Sequence, residues 1–396
     1  MKSLRSLYRI GSGPSSSHTM GPERACQNIL SKYNQSNRFE VYLYGSLALT
    51  GKGHLTDYII KKTLGENRTK VIFDINKKIA HPNTFKIISY KDDVLLGEDE
   101  FISLGGGALS TDTLEKDVYP FKNFLEIKEY CIKEKISLAE LVYRYEDKDI
   151  KDYLHLVYQT MKEAIQRGLN EVGTLPGGLS VIRKANQLSK EKSEESPHLK
   201  MMRIVCSFAY AVSEENASGG KIVTAPTCGA SGVLPATLFY LNKEKNVYEE
   251  KIIDALAVAS IFGNVIKQNA SISGAFAGCQ SEIGSACSMA SAAVSYLNGA
   301  SIDEIEYAAE IAMEHHLGLT CDPIKGLVQI PCIERNAVAA LRAIDAASLA
   351  SFLTTSRKIS FDTVVQTMYE TGLDLSKAYK ETSLGGLAKN YHEKEK

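Results

Sequence analysis

Apolar and polar positions alternate with a period of two in several short segments of the first ~145 residues. The clearest is FEVYLYGSL at 39–47, in which Phe39, Val41 and Leu43 occupy one face. Turn-forming residues separate these segments, and the stretch at 53–65 has a helical pattern instead. Strands are predicted at 39–47, 70–75, 84–90 and 100–108. This part of the chain is therefore expected to be a mixed α/β domain.

After about residue 148 the apolar positions recur with the 3.6-residue period of helices. In 301–316, Ser301 and Glu304 have the spacing of a capping box ahead of an apolar stripe. Another helix is predicted to begin after Ser360 and to stop at Gly372. The second part of the chain is therefore expected to be all-helical.

The change of pattern suggests how the chain divides into domains. A chain of 396 residues is long for one domain, so two are expected. We predict an α+β protein, with an N-terminal mixed α/β domain at 1–147 and a larger all-α domain at 148–396.

Composition and charge exclude several classes of protein. A net charge of −1 provides no field that would attract nucleic acid or an anionic membrane. The uncharged runs at 222–242 and 284–302 contain too many Ser, Thr, Gly, Asn or Pro residues for membrane spans, and the N-terminus does not resemble a signal peptide. We expect a cytoplasmic protein with no nucleic-acid or membrane partner and with its eight cysteines reduced.

A loop rich in hydroxyl groups, SGPSSSHTMGPE, occupies residues 12–23. Its donors precede a helix predicted to begin near Pro22, and a helix N-terminus with nearby donors favours an anion such as a carboxylate or phosphate. The alternative is a solvated turn whose hydroxyls cap their own backbone. The residues alone leave both interpretations open.

Three cysteines lie in loop-like contexts within two residues of a Gly or Pro: Cys279, Cys321 and Cys332. Their separations of 42 and 11 residues match no CxxC zinc pattern. Three thiolates are one short of the usual set for an iron–sulfur cluster and would leave one iron open to a substrate. The alternative is that all three are small buried hydrophobic residues, as free cysteines often are.

His54 lies in TGKGHLTD at 50–57, where two glycines flank Lys52 just before it and Asp57 follows it by three residues. A histidine near a carboxylate is a candidate general base, although a surface histidine near a helix start fits the same pattern. A different chemistry, based on pyridoxal phosphate, would need a phosphate-binding loop and a lysine. The candidates for these are GGGA at 105–108 and Lys221.

Taken in order, the longer motifs resemble the iron–sulfur-dependent L-serine dehydratases (L-serine ammonia-lyases) nearly end to end. The first four match the family's β domain, and the others match its α domain. They are GPSSSHTMGP (13–22), YGSLALTGKGHLTD (44–57), HPNT (81–84), GGGA (105–108), LPGGL (175–179), TAPTCGASGVLPA (224–236), NASISGAFAGCQSEIGSACSMA (269–290), MEHHLGLTCDP (313–323), IPCIERNA (330–337) and MYETG…ETSLGGLA (368–388). The resemblance implies a single-chain form with fused β and α domains.

The resemblance also implies an activity: conversion of L-serine to pyruvate and ammonia, with roles in amino-acid degradation and gluconeogenesis. It implies a homodimer and a [4Fe–4S] cluster that acts as a Lewis acid. By matching position, the implied cluster ligands are Cys279, Cys321 and Cys332, the implied base is His54, and the implied substrate-binding residues are Ser16, Ser17, His18, Thr19 and Thr227.

Two departures from the family pattern carry expectations of their own. Longer single-chain members have a cysteine at the extreme C-terminus, whereas this sequence ends YHEKEK and its last cysteine is Cys332, so we expect no regulation by a cysteine tail. Cys228 stands where some members have Asn, which places an extra thiol near the implied cluster.

Two alternative functions stay open at this level. One extra methyl group is discriminated by only about 1–3 kcal/mol in an apolar pocket, so threonine or another β-substituted amino acid is an alternative substrate. A non-catalytic iron or oxygen sensor is the second alternative. The sequence has no evident helix-turn-helix, zinc knuckle or basic stripe to support it.

Overall fold

A mixed sheet organises the N-terminal part of the computed structural model, which describes residues 1–111, 117–191, 194–353 and 356–392. The strands are β1 (Ile10–Ser12), β2 (Arg38–Tyr44), β3 (Thr69–Asp74), β4 (Thr84–Lys91), β5 (Val94–Gly105), β6 (Ala108–Leu109) and β7 (Lys221–Val223). Five of them form one sheet in the spatial order β3-β2-β4-β5-β6. β2 and β3 are parallel, and the other neighbouring pairs are antiparallel. Strands are present at each predicted place, although β5 begins six residues earlier than expected. The predicted strand at 39–47 is wrong over its last three residues, because β2 ends at Tyr44 and Gly45 begins helix α2.

Helices make up most of the rest. They are α1 (Gly21–Lys32), α2 (Gly45–Thr50), α3 (Thr56–Leu64), α4 (Phe124–Glu134), α5 (Leu138–Tyr145), α6 (Ile150–Asn170), α7 (Ala185–Ser189), α8 (Pro197–Ala217), α9 (Val233–Glu244), α10 (Glu249–Asn269), α11 (Gly274–Ala277), α12 (Ser285–Leu297), α13 (Ile302–Glu314), α14 (Cys332–Leu353), α15 (Phe361–Asp374) and α16 (Gly386–Asn390). The predicted α+β class, with a mixed N-terminal part and a mostly helical remainder, is confirmed.

The α/β part has its own small core between the sheet and helices α1 and α3. Ile29 from α1 and Ile60 from α3 are fully buried there against Phe39, Leu43 and Phe85 from the sheet. This is the face that the period-two pattern of β2 predicts as buried. The alternate positions Glu40 and Tyr42 of β2 are partly exposed, so this strand buries one face more fully than the other.

The large helical core centres on α12, which packs against α9, α10, α13 and α14. Its side chains are small, and those from Ser285 to Ser295 are buried. Ser288 and Ser291 donate hydrogen bonds to backbone carbonyls of α13 at 2.6 and 3.0 Å, which satisfies their buried hydroxyls. The Ala- and Ser-rich composition of this part of the chain thus permits close approach of helices.

The large core also includes segments that precede residue 148. Leu4, Leu7 and the helices α4 and α5 pack into it, with Phe124 fully buried against Phe262. Strand β1 pairs with β7 in antiparallel register, which ties the N-terminus to the helical part. The division at 147/148 stays a prediction, but the helical packing begins ahead of that position.

Three helix boundaries were predicted from local residue patterns, namely two starts and one stop. The capping box of Ser301 and Glu304 is present at the start of α13, and Ser360 caps α15. The predicted stop at Gly372 is wrong, since α15 continues to Asp374. A Cβ at Gly372 would lie 2.6 Å from the Cβ of Ala277, so this glycine permits the close approach of α11 rather than ending the helix.

Among the described helices, α14 alone is long and apolar enough to cross a membrane by length and composition. It packs against α8, α9, α12 and α13, and its alanines at 339, 340 and 343 are fully buried. Both uncharged runs noted in the sequence, at 222–242 and 284–302, also fold into or against the helical core. These packing contacts are those of core helices.

Candidate active site

A small cavity lies where the serine-rich loop, the turn after α2 and several loops of the helical part meet. Side chains from distant parts of the sequence converge on it, and most of them are buried. It is lined by Pro14, Ser15, Ser16, His54, Gly229, Cys279, Glu282, Ile283, Cys321, Pro323, Val328, Cys332 and Glu381. Five of the nine residues singled out as site candidates, namely Ser16, His54, Cys279, Cys321 and Cys332, are therefore in one place.

The three cysteines reach the cavity from three different segments. Cys279 precedes a π-helical turn at Gln280–Gly284, and Cys332 begins α14. Cys321 lies in an extended loop, where its backbone pairs with the segment around Lys380. All three are buried, so each thiol faces the cavity with little access to bulk water.

The cysteine side of the cavity holds a set of atoms that fits a metal. The Sγ atoms of Cys279 and Cys321 and a carboxylate oxygen of Glu282 all lie within 4.8 Å of one another. A hydrogen bond with Cys279, together with burial, raises the pKa of the Cys321 thiol, and burial raises that of Cys332. Thiolates buried in this way are unfavourable without a compensating cation. Three converging thiols with an adjacent carboxylate are therefore a suitable donor set for a metal ion or an iron–sulfur cluster.

One positive charge already lies next to these thiols. The Arg335 guanidinium donates to the Thr320 carbonyl at 2.6 Å and lies 3.5 Å from an Asp322 oxygen. Its charge lowers the pKa of Cys332, although burial outweighs this effect. In the sequence, Arg335 is one residue of the motif IPCIERNA, with no separate signal of a role at the site.

His54 is fully buried, which contradicts the alternative of a surface histidine. The hydroxyl of Thr50 donates its hydrogen to the Ser46 carbonyl at 2.9 Å, so at His54 Nδ1, 3.2 Å away, it acts as an acceptor. Nδ1 therefore carries the ring hydrogen, and Nε2 carries the free lone pair. Nε2 has no hydrogen-bond partner among the described residues.

Burial also keeps the His54 ring neutral, because it lowers the imidazole pKa to about 4. Nε2 lies 3.9 Å from an Oε1 oxygen of Glu381. The carboxylate near this histidine is thus Glu381, and Asp57, which the sequence suggested, lies instead in the first turn of α3. A neutral imidazole with a free nitrogen in a closed cavity is suited to accept a proton.

The serine-rich loop both lines the cavity, through Pro14, Ser15 and Ser16, and supports His54. Its residues Ser15 to Thr19 are all buried, which contradicts the alternative of a solvated turn. Ser16 lines the cavity, whereas Thr19 Oγ1 donates to the His54 carbonyl at 2.7 Å. Ser17 Oγ lies 2.8 Å from Nδ1 of His18, whose ring in turn contacts the ring of His54 in a tilted arrangement. The π-helical turn at Ser16–Met20 arranges these side chains immediately before α1.

Thr227 contacts a residue that lines the cavity, Glu282, and does not line it itself. Its Oγ1 donates to Glu282 Oε1 at 2.8 Å, so it orients that carboxylate. The next residue, Cys228, is buried as well, and burial together with the charge of Glu282 raises its pKa. The extra thiol therefore lies beside Glu282.

Two carboxylates at this site were missed by the sequence analysis. Glu282 follows Cys279 by three residues, and Glu381 is the first residue of ETSLGGLA. Each of them therefore lies inside one of the motifs given above. The sequence feature that could have indicated them is an acidic residue within a short stretch rich in Cys, Gly, Ser or Thr. Only the folded chain shows that both carboxylates point into the cavity.

The structure does not favour the chemistry based on pyridoxal phosphate. Lys221 is exposed in β7, where it pairs with Ser12 of β1. The glycines at 105, 106 and 107 have positive φ and form the turn between β5 and β6. None of the described residues that line the cavity is a lysine.

Comparisons with known proteins agree with the family that the motifs resemble. The family model described as "Serine dehydratase beta chain" matches residues 3–70, and "Serine dehydratase alpha chain" matches residues 113–388. "L-serine dehydratase 1" of Escherichia coli K12 is 38% identical, with 98% of this chain and 99% of that protein covered. "L-serine dehydratase" of Helicobacter pylori strain 26695 is 40% identical, with 98% of each chain covered. "L-serine dehydratase" of Streptomyces coelicolor is 38% identical, also with 98% of each covered.

Proposed function

The chain belongs to the serine dehydratase family, with its beta-chain and alpha-chain regions fused in one polypeptide, and on that premise we propose that it is an L-serine ammonia-lyase. The reaction converts L-serine to pyruvate and ammonia. The observation that carries the proposal is the meeting of three buried thiols with the free Nε2 of His54 in one cavity. Because the product is pyruvate, the proposed roles of the enzyme are amino-acid degradation and the supply of carbon for gluconeogenesis. A cytoplasmic location and a homodimeric state remain predictions.

Cys279, Cys321 and Cys332 would hold a [4Fe–4S] cluster in this enzyme. The support is the donor set: three buried thiols, with Arg335 beside them to offset part of the thiolate charge. When bound, such a cluster supplies a Lewis-acidic iron that polarises the substrate's hydroxyl and carboxylate groups. Glu282 lies on the same side and is oriented by Thr227.

His54 acts as the base that removes the α-proton of serine. Its Nε2 is unprotonated because Thr50 accepts the hydrogen on Nδ1, and burial holds the ring neutral at physiological pH. A well-placed general base typically contributes about 10²–10⁴-fold to the rate. Ser16 supplies a hydroxyl to the substrate's carboxylate, while Ser17, His18 and Thr19 hold the base in place from behind.

The test is to purify the protein without oxygen, measure iron and sulfide per chain, and assay pyruvate release from L-serine. About four irons per chain and activity that is lost in air are expected for one cysteine-bound [4Fe–4S] cluster. His54→Ala should keep the iron and lose about 10²–10⁴-fold in turnover. Activity without iron would overturn the cluster assignment, and full activity in His54→Ala would overturn the assignment of the base.

Two of the alternatives give different results in the same assay. A sensor would bind the cluster and release no pyruvate from wild-type protein. A dehydratase for threonine would release 2-oxobutanoate from L-threonine at a higher kcat/KM than it releases pyruvate from L-serine. His155→Ala is the matched control, because this histidine is partly exposed on α6 and lies outside the cavity.

A further inference from the structure

We propose that Glu381 binds the α-ammonium group of the substrate and thereby selects α-amino acids. The inference rests on the proposed function, because it requires an amino acid to bind between His54 and the three cysteines. An α-amino acid enters with a positive charge on the ammonium group, and a buried cation needs a partner of opposite charge. The cavity must therefore offer a carboxylate at the position that the ammonium group occupies.

Glu381 is placed to be that partner. It lines the cavity with its side chain only 11% exposed, and its carboxylate lies 3.9 Å from His54 Nε2. Among the residues that the structure describes, this carboxyl group accepts no hydrogen bond, and the imidazole of His54 at 3.9 Å is neutral. Burial and the nearby Glu282 raise the pKa of Glu381, an effect that a bound ammonium group would oppose. A buried hydrogen-bond acceptor that has no donor costs free energy of folding, and a ligand that supplies the donor removes this cost.

The other carboxylate of the cavity is already engaged. Glu282 accepts a hydrogen bond from Thr227 at 2.8 Å with one oxygen, and its other oxygen lies 3.9 Å from Cys321 Sγ. Glu282 therefore belongs to the thiol side of the cavity, and Glu381 faces the histidine side. The two carboxylates thus divide the cavity into a side for metal ligation and a side for the ammonium group.

The position of Glu381 matches the chemistry of the α-carbon. The ammonium group is bonded directly to the carbon whose proton is removed. An ammonium nitrogen held at Glu381 lies beside Nε2 of His54, and the α-carbon is one bond away from that nitrogen. The α-proton is therefore placed near the base that must remove it. Binding and proton removal would then depend on the same neighbouring pair, Glu381 and His54.

The backbone around Glu381 is fixed to the cysteine side of the site. Its amide donates to the Cys321 carbonyl at 2.8 Å, and the Cys321 amide donates to the Tyr379 carbonyl at 2.8 Å. Ser383 Oγ donates to the Pro323 carbonyl at 2.7 Å. Glu381 itself has a φ of 58°, a conformation that non-glycine residues adopt only when their surroundings hold them there. The distance between Glu381 and Cys321 is therefore set by direct backbone contacts.

The experiment compares two competitive inhibitors of the same size, glycine and glycolate, which differ in having an ammonium or a hydroxyl group on the α-carbon. In the oxygen-free wild-type enzyme, glycolate should bind at least about tenfold more weakly than glycine, the size expected for loss of a hydrogen bond to a charged group. In Glu381→Gln, the inhibition constant of glycine should rise about tenfold or more. That of glycolate should change less than about threefold. Equal binding of the two inhibitors to wild type would overturn the proposal without any variant.

An unchanged ratio in Glu381→Gln, or an equal loss for both inhibitors, would also overturn it, because either result is that of a merely structural role. The matched control is Glu370→Gln, an exposed glutamate on α15, which should leave both constants unchanged. Iron content and pyruvate release by the wild type test the proposed function separately. An enzyme that is active and loaded with iron, but has an unchanged ratio, refutes the role of Glu381 alone.

Discussion

The rings of His18 and His54 lie with their centroids 4.5 Å apart at an interplanar angle of 41°. Both nitrogens of His18 have partners, with Ser17 Oγ at 2.8 Å from Nδ1 and Ser46 Oγ at 3.0 Å from Nε2. His54 has a partner on Nδ1 alone. Two adjacent buried imidazoles thus differ in function: the satisfied ring supports the one with the free nitrogen.

Thr19→Val should impair the enzyme by displacing His54. The Thr19 hydroxyl donates to the His54 carbonyl at 2.7 Å and accepts from the Ser15 amide at 3.2 Å. Valine has the same shape and offers neither bond, which costs about 1–3 kcal/mol of folding stability. We expect kcat to fall about tenfold, since small displacements of a catalytic group are costly.

Steady-state kinetics and thermal unfolding of the iron-loaded protein measure these two effects. Thr19→Ser keeps the hydroxyl and should recover most of the activity. A Thr19→Val enzyme with wild-type kcat would contradict the supporting role.

Gly274→Ala should disturb the thiol side of the cavity. A Cβ at this position would lie 2.5 Å from Glu282 Oε2 and 3.2 Å from Cys321 Sγ, so both side chains would have to move. Gly229→Ala places its Cβ 3.3 Å from Glu282 Oε1 and should be milder. We expect iron content to fall strongly in the first variant and slightly in the second. The same iron content in both variants would contradict the packing argument.

Cys321→Ser should remove the cluster, because a serine hydroxyl is a poor replacement for a thiolate ligand. Iron per chain, measured after oxygen-free purification, should fall from about four to near zero. Cys206→Ser is the matched control, since Cys206 is half-buried on α8 away from the cavity, and it should keep its iron. Visible absorbance that survives in Cys321→Ser would refute the ligand assignment.

The protein should lose stability as the pH rises from about 5 to 8 because of Glu310. Burial, together with the neighbouring Glu314, raises the pKa of Glu310 from its ordinary 4.5 to about 8. The folded state therefore binds a proton that the unfolded state releases, and the free energy of unfolding falls as pH increases through this range.

Glu310→Gln should remove this slope and stabilise the protein at pH 8. We expect the free energy of unfolding at pH 8 to rise by about 1–2 kcal/mol. This is less than the whole pKa shift would correspond to, because solvent near the exposed Glu314 screens the charge. Urea unfolding at pH 6 and pH 8 measures the difference. Glu370→Gln serves as the exposed control, and a wild type equally stable at both pH values would disprove the assignment.

Local chemistry made much of the fold predictable. The alternation in β2 and the capping box at Ser301 depend on neighbours a few residues apart, and both are present in the structure. Gly372 shows the limit, since a glycine that ends a helix and one that allows close packing look alike in sequence. Only the position of Ala277 against α15 distinguishes them.

The sequence by itself determined the family, through long motifs in order, and with it the types of side chain at the site. The tertiary structure decided which of these side chains meet. It turned Thr19 and His18 toward His54 rather than the cavity, left Lys221 on the surface, and brought Glu381 from the C-terminal region to within 3.9 Å of His54. The physical reason is that motifs record local residue types, whereas proximity, burial and unsatisfied hydrogen bonds arise only when distant segments pack together.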